Sequence, residues 1–254
     1  MPSDAHCHPY YLKDFFSDYE QERRILNIQC AASAFSGVEF LHNEELAKKN
    51  DAPYLALCFG FHPQMPAYNL VPDFELFEAL VREKRIVCIG ESGFDFFDKI
   101  FTATEALQQI LFEEQLNIAK QFTMPMLLHI RRAMHKIFVY RKKLRSLPAV
   151  VFHSFSGSVE EAKAILRCGI NAYFSFGTPL LCNHKKALRC VIELPLERLL
   201  FETDAPYQKL NGASFTSFKE LNKVMEKAAC LREESSELLI NITDANFNNI
   251  FRGK

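Results

Sequence analysis

Seven short apolar runs, separated by stretches of helical periodicity, constrain this chain more than any other feature. They span residues 25–31, 54–59, 86–90, 126–130, 149–153, 172–176 and 199–202, rich in Val, Ile, Leu and Phe without polar alternation. Runs of that kind suit strands covered on both faces, as in parallel sheets. Between them, residues 104–120 place Leu107, Ile110, Leu111, Gln115 and Ile118 at roughly helical spacing. Ser158-Val159-Glu160-Glu161 reads as a capping box ahead of a helix that Gly169 stops. Pro148 and Pro195 fall between helix and strand, where a helix must break. A very short first strand at residues 3–6 completes eight strands with seven intervening helices, and residues 218–231 and 234–251 supply closing helices. Strict alternation over 254 residues predicts a single-domain α/β chain folded as a (β/α)8 TIM barrel, with an open doubly wound sheet as the alternative. No linker, internal repeat or low-complexity block interrupts it.

Composition narrows the class of function. The chain is 48% apolar and 24% charged, which excludes disorder, and its formal net charge of −1 leaves no whole-protein footprint for nucleic acid. An enzyme can still grip an anion locally through metal ions. No stretch approaches the roughly 18 to 20 apolar residues that span a bilayer. Met1-Pro2-Ser3 runs straight into Asp4-Ala5-His6-Cys7-His8 without a charged-then-apolar leader, so a cytoplasmic protein is expected, with no membrane and no obligate protein partner. The eight cysteines form no CxxC pair and read as small buried hydrophobes.

The polar residues that interrupt the apolar pattern fall at one recurrent place, the C-terminal ends of strands. His6 and His8 close the first, Glu91 follows the fourth, His129 ends the fifth, His153 ends the sixth and Asp204 follows the eighth. In a barrel those ends share one face, where active sites form, so the six residues converge in space. His6 and His8 lie two apart on an extended segment, which points both rings into the mouth and Cys7 away from it. Asp4 is a candidate partner for an imidazole N–H. Glu91, between glycines in Ile89-Gly90-Glu91-Ser92-Gly93, can approach a bound ion closely, and a carboxylate can bridge two cations where an imidazole cannot. His129 or His153 alone would read as a hydrogen-bonded core histidine; at matching strand ends beside His6 and His8 they read as metal ligands. Asp204, before Ala205-Pro206, reads as a ligand that also handles the proton of an attacking water.

Six segments, in order along nearly the whole chain, together resemble the TatD family of metal-dependent nucleases within the wider amidohydrolase-like barrels. They are Asp4-Ala5-His6-Cys7-His8, Gly60-Phe61-His62-Pro63, Ile89 to Asp95, His129-Ile130-Arg131, His153-Ser154-Phe155-Ser156-Gly157 and Glu202-Thr203-Asp204-Ala205-Pro206. The resemblance implies a metal-dependent hydrolase that cleaves phosphodiesters of DNA from the 3′ end. By position it implies one ion held by His6, His8 and Asp204, a second by His129 and His153, and Glu91 between them, with Glu91 and Asp204 the catalytic carboxylates. Two divalent ions are expected, and Mg2+, Mn2+ and Zn2+ all suit such ligands. Ser92, Phe94 and Ser154 depart from the family pattern beside ligands. Asn211-Gly212-Ala213-Ser214-Phe215 replaces an Asn-Glu-Pro motif, which bears on substrate grip at that rim.

Two divalent ions against two carboxylates leave a net positive field, which favours DNA or another phosphodiester as substrate. An ester or amide hydrolase of the same design, including one that deacylates a nucleic acid, and a non-catalytic binding protein are the rival readings. His62 is expected to touch substrate or to make a loop hydrogen bond. Arg131 is expected to clamp a phosphate or to pair with a rim acid. Asp95 reads as an orienter of a ligand, and Ser156-Gly157-Ser158 as a helix cap. Tyr10, Phe94, Phe155 and Tyr207 are candidates to stack a base, although with 24 phenylalanines most aromatics must be core. The basic run from Arg141 to Arg145 reads as a solvated helix face.

Overall fold

The computed structural model describes residues 1–252. Its eight strands are β1 (Ser3–Cys7), β2 (Gln29–Ala34), β3 (Leu55–Phe59), β4 (Cys88–Asp95), β5 (Met126–Arg131), β6 (Val150–Phe152), β7 (Ala172–Phe176) and β8 (Leu199–Phe201). All pair in parallel and in chain order. The ring closes where β8 meets β1: Asp204 N–H donates to His6 C=O at 3.0 Å and His8 N–H to Ala205 C=O at 2.7 Å. This is the expected (β/α)8 barrel. The open sheet is excluded, because its two edges would leave those backbone groups unpaired.

Helices α1 (Pro9–Leu12) and α2 (Tyr19–Ile25) follow β1, α3 (Gly37–Ala47) follows β2, and α4 (Phe74–Arg82) follows β3. The outer ring continues with α5 (Lys99–Thr102), α6 (Glu105–Phe122), α7 (Met134–Leu144), α8 (Val159–Arg167) and α9 (Lys185–Glu193), and ends in α10 (Lys219–Arg232) and α11 (Ser236–Phe251). Local chemistry starts these helices where they start: Ser36, Asp73, Asp98, Ser158 and Ser235 each accept a first-turn N–H, and Ser158 with Glu161 forms the expected capping box. Gly169, at φ +77°, lies just beyond α8.

Large apolar side chains fill the layer between strands and helices, while the barrel interior takes small ones: Ala5, Ala31, Ala56, Cys58 and Cys88, with Leu127, Val151, Tyr173 and Leu200. Phe247, Ile250 and Phe251 of α11 belong to that interior cluster. The Tyr54 hydroxyl donates to Phe251 C=O at 2.9 Å, tying the helix to the start of β3.

Three expectations need correction. The second strand begins at Gln29, because Ile25 ends α2 and is 74% exposed. Leu107 and Ile110 of α6 face solvent; the buried stripe is Gln108, Leu111, Phe112, Gln115, Leu116 and Ala119. Its glutamines serve strand ends: Gln115 Oε1 accepts Phe61 N–H at 2.7 Å and Gln108 Oε1 accepts Asp95 N–H at 2.9 Å. Finally, β4 runs on to Asp95, so Glu91 lies within the strand rather than after it.

Candidate metal centre

Two register shifts aim the first side chains. Ile89 faces Met126 and Ser92 faces Leu128, so β4 spends three steps where β5 spends two, a bulge that contains Glu91. In the same way Asp4 faces Cys30 and Cys7 faces Ala32, a bulge in β1 that contains His6. Bulges bend a strand and re-aim side chains, and they gather at barrel rims. Gly93, at φ +144°, lets β4 press on β5 there: a Cβ would collide with the His129 carbonyl.

The structure brings all six predicted ligand side chains together at the mouth. Glu91 is the divider. Its Oε2 lies 3.2 Å from His6 Nε2 and 3.1 Å from His8 Nε2, while Oε1 lies 2.9 Å from His153 Nε2 and 3.5 Å from His129 Nδ1. Asp204 Oδ1 joins the first group, 3.3 Å from His6 Nε2 and 3.6 Å from His8 Nε2. His62 joins the second, with Nε2 3.6 Å from Glu91 Oε1 and 3.3 Å from His129 Nδ1. Cys7 packs in the core, as expected.

Neighbours fix the ligand-type rings. Ser33 Oγ sits 3.1 Å from His6 Nδ1, and Asp95 Oδ2 sits 3.0 Å from His129 Nε2 while accepting Gln64 Nε2 at 2.8 Å. Glu202 Oε1 lies 3.5 Å from His153 Nδ1 and accepts Ser154 N–H at 2.7 Å. Gln208 Nε2 donates to Asp204 Oδ2 at 2.8 Å. Ser33, Glu202 and Gln208 escape sequence reasoning, since nothing local to them reports which distant side chain they meet. Asp95 orients His129 as expected. Asp4 does not meet an imidazole: it accepts Thr203 N–H and hydroxyl at 3.0 and 2.6 Å and His6 N–H at 3.2 Å, bracing β1 to the end of β8.

Burial alone would neutralise these groups, but their mutual attraction wins. Burial disfavours ionised Glu91, yet His6 and His153 hold its carboxyl well below the usual range. Burial likewise opposes charge on Asp204, and the His6 and His8 rings that face its inner oxygen outweigh it and lower its pKa. His8, against the pull of burial, is pushed up to about 10 by Asp204 and Glu91, and His153 rises well above the ordinary value, chiefly through Glu91. His62 is the exception: burial, reinforced by the neighbouring imidazoles, lowers it to about 3 and keeps it neutral.

The donor set fits divalent cations. His6 Nε2 is buried without a hydrogen-bond partner although two carboxylates face it, the arrangement a ligand nitrogen needs. Three groupings place their donor atoms within 4.8 Å of one another: His6, His8 and Glu91; His6, His153 and Asp204; His62, Glu91 and His129. Imidazole nitrogens with carboxylate oxygens suit Zn2+ and Mn2+, and the carboxylates suit Mg2+.

Over this cluster opens a cavity of about 780 Å³. Tyr11, Phe35, Met65, Tyr68, Leu70 and Tyr207 give it apolar walls, and Arg131 lines it at the rim. The Arg131 guanidinium stacks 3.5 Å from the Phe97 ring centroid and makes no ion pair among the described residues. Of the four aromatics proposed for stacking only Tyr207 lines the cavity; Phe94 and Phe155 are buried in the core, and Tyr10 lies under Lys13. Residues 211–214 are exposed and do not line it. Arg141, Lys142 and Arg145 are exposed on and just after α7, away from the mouth. Among the described residues no helix is long and apolar enough to cross a membrane.

The chain has relatives. The chain is 34% identical over 223 residues to the uncharacterized metal-dependent hydrolase YjjV of Escherichia coli, covering 82% of this chain and 81% of that protein. It is 31% identical over 234 residues to the 3′-5′ ssDNA/RNA exonuclease TatD of Pantoea ananatis, covering 85% and 86%. The crystal structure of the Escherichia coli TatD homologue YjjV superposes with a TM-score of 0.84 at 26% identity, covering 100% of this chain and 98% of that one. The model of the TatD related DNases matches residues 3–252, and the chain belongs to the TatD family.

Proposed function

We propose that this chain is a metal-dependent 3′-to-5′ exonuclease acting on single-stranded or frayed DNA. The observation that carries the reading is the division of the imidazoles by the two Glu91 oxygens, His6 and His8 on one and His129 and His153 on the other. That division supports two ions, one held by His6, His8 and Asp204, the other by His129 and His153, with Glu91 shared. Bound there, divalent cations would lower the pKa of an attacking water and neutralise charge on the phosphoryl group. Relatives carrying metal-dependent hydrolase and exonuclease names support the reaction class.

The residues divide the remaining work. Glu91 and the imidazoles would hold the cations. Asp204 accepts the proton of the water, and Gln208, bonded to its outer oxygen, keeps the carboxylate turned inward. His62, neutral and beside Glu91, is placed to meet substrate as a hydrogen-bond partner. Arg131, without an acidic partner among the described residues, is free to meet a phosphate. The cavity lies at the mouth of a barrel, which suits a chain end better than an internal bond of a stacked duplex.

End-labelled oligonucleotides, with free or blocked 3′ termini, test the proposal in Mg2+, Mn2+ and Zn2+. Stepwise shortening from a free 3′ end is expected. Equal cleavage of a closed circle would make the enzyme an endonuclease. No cleavage beside ready hydrolysis of an ester or amide would transfer the same machinery to that bond. Inertness toward all of them leaves a binding protein.

A further inference from the structure

Tyr207 and Tyr11 stand together on the His8 side of the cavity. The Tyr207 ring lies edge-on to His8, centroids 5.2 Å apart at 75°, and 6.3 Å from the Tyr11 ring. Tyr11 in turn lies 6.2 Å from Phe35 and nearly parallel to it at 21°. The three rings form one aromatic wall that begins beside His8 and Asp204 and leads outward.

Their polar ends explain what the wall offers. The Tyr11 hydroxyl donates to Glu39 Oε1 at 3.1 Å, and Glu39, buried, is itself fixed by Ser36 Oγ at 2.7 Å and Phe35 N–H at 3.3 Å. Tyr11 therefore arrives with its one polar group already engaged and its ring immobilised. Tyr207 is 46% exposed, held by a backbone turn in which its N–H donates to Asp204 C=O at 2.6 Å. A side chain this exposed, one turn from a proposed ligand, is not there to fill the core. Of the aromatic rings named on the walls, Tyr11 and Tyr207 lie beside His8, with centroids 6.4 and 5.2 Å from its ring.

We propose that Tyr207, backed by Tyr11, is the subsite for the unpaired base of the nucleotide whose phosphate enters the metal centre. The proposal rests on the exonuclease reading above. Stacking uses a π-face that every base has, so the subsite takes purines and pyrimidines alike and demands a base free of its duplex partner. With the Tyr11 hydroxyl committed to Glu39, that ring reads no base edge. Stacking thus selects unpaired ends, and Tyr11 adds no selection of sequence.

The test uses the metal-loaded full chain and an oligonucleotide whose 3′-terminal base is 2-aminopurine. Its last linkage is a methylene phosphonate that cannot be hydrolysed. 2-Aminopurine fluorescence falls on stacking, and the chain contains no tryptophan to obscure it. The wild type is expected to quench the terminal probe, and a probe placed far from the end much less. Tyr207→Ala should weaken binding roughly ten- to a hundredfold and abolish the quench, and Tyr207→Phe should restore both. Tyr11→Leu should reduce the quench, while Tyr11→Phe keeps the ring and most of the effect. Equal binding and quenching by wild type and Tyr207→Ala, or no quenching by the wild type, overturns the subsite. A quenched probe together with an uncleaved natural strand upholds the subsite and removes the exonuclease reading. Cleavage of the natural strand with no response to Tyr207→Ala does the reverse.

Discussion

Gln208 holds the outer oxygen of Asp204: its Nε2 donates to Oδ2 at 2.8 Å and to Ser154 Oγ at the same distance. The inner oxygen is left facing His6 and His8. Gln208 is anchored in turn, since its backbone C=O accepts the Thr178 hydroxyl at 2.6 Å. It joins the turn after β8 to the end of β6, and so braces both halves of the site. Partners that orient a ligand commonly account for ten- to a hundredfold in metal affinity. Gln208→Ala should weaken Mn2+ binding by about that factor while the circular dichroism spectrum stays unchanged. Titration calorimetry giving the wild-type affinity would falsify the brace.

Glu202 does comparable work for His153. Its carboxylate is fully buried, accepts Ser154 N–H at 2.7 Å and faces His153 Nδ1 at 3.5 Å. Glu202→Ala leaves the partly buried Ser154 N–H without its acceptor, which costs up to about 1–3 kcal/mol. Urea unfolding should show that loss, and Glu202→Gln, which keeps an acceptor oxygen, should recover most of it. A variant as stable as the wild type would mean that water or a rotated Ser154 takes over the bond.

The contrast between these two residues and the six ligand-type side chains marks what a sequence can carry. His129 and His153 stand out because each ends a run that is otherwise apolar, and a polar group in such a place must have a reason to be buried. Repetition of that signal at several strand ends makes both barrel and site legible. The partner of a buried polar group is a different matter. Ser33 meets His6 across adjacent strands, and Gln208 meets Asp204 only because its backbone turns back at φ +50°. Asp4 looked like an imidazole partner for lack of any sign that Thr203, 199 residues on, would claim both its oxygens. Register shifts are equally silent, so Glu91 was expected beyond β4 rather than in its bulge. Ile25 misled for a simpler reason: an apolar residue at the end of a helix reads like the start of a strand.

Metal removal should cost stability as well as activity. Ions that bind only the folded chain add RT ln(1 + [M]/Kd), about 2.7 kcal/mol at a hundredfold excess over Kd. For a chain of this length that amounts to roughly 5–10 °C in melting temperature. Scanning fluorimetry with a tyrosine-independent dye, with Mn2+ against excess chelator, measures the difference. Identical melts would mean that the cluster holds no ion tightly enough to matter.

Asp204→Asn separates holding an ion from accepting a proton. The amide keeps an oxygen that can face His6 and His8, so the fold and part of the metal affinity should persist. It cannot accept the proton of an attacking water, and turnover should fall about 10²- to 10⁴-fold with metal saturating. Single-turnover assays over a range of Mn2+ distinguish the causes. Recovery at high Mn2+ would assign Asp204 to metal binding alone.

The response to salt should be shallow, and Arg131 should account for part of it. Each phosphate neutralised by a side chain on a single strand contributes a slope of about −0.7 in log affinity against log salt. Arg131 lines the cavity and has no ion pair among the described residues, and Phe97, 3.5 Å beneath its guanidinium, holds it in place without cancelling its charge. The chain as a whole, at net charge −1, adds no general attraction for a polyanion. The KM of a short oligonucleotide should therefore rise only mildly between low and physiological salt. In Arg131→Ala the slope should flatten by about 0.7, with KM raised several-fold at low salt and kcat nearly unchanged, because the residue would grip the strand without touching the reacting atoms. Arg131→Lys should keep the slope but lose the stacking on Phe97, leaving a smaller rise in KM. A slope unaffected by Arg131→Ala would place the strand on the other side of the mouth, along the Tyr68 and Leu70 wall.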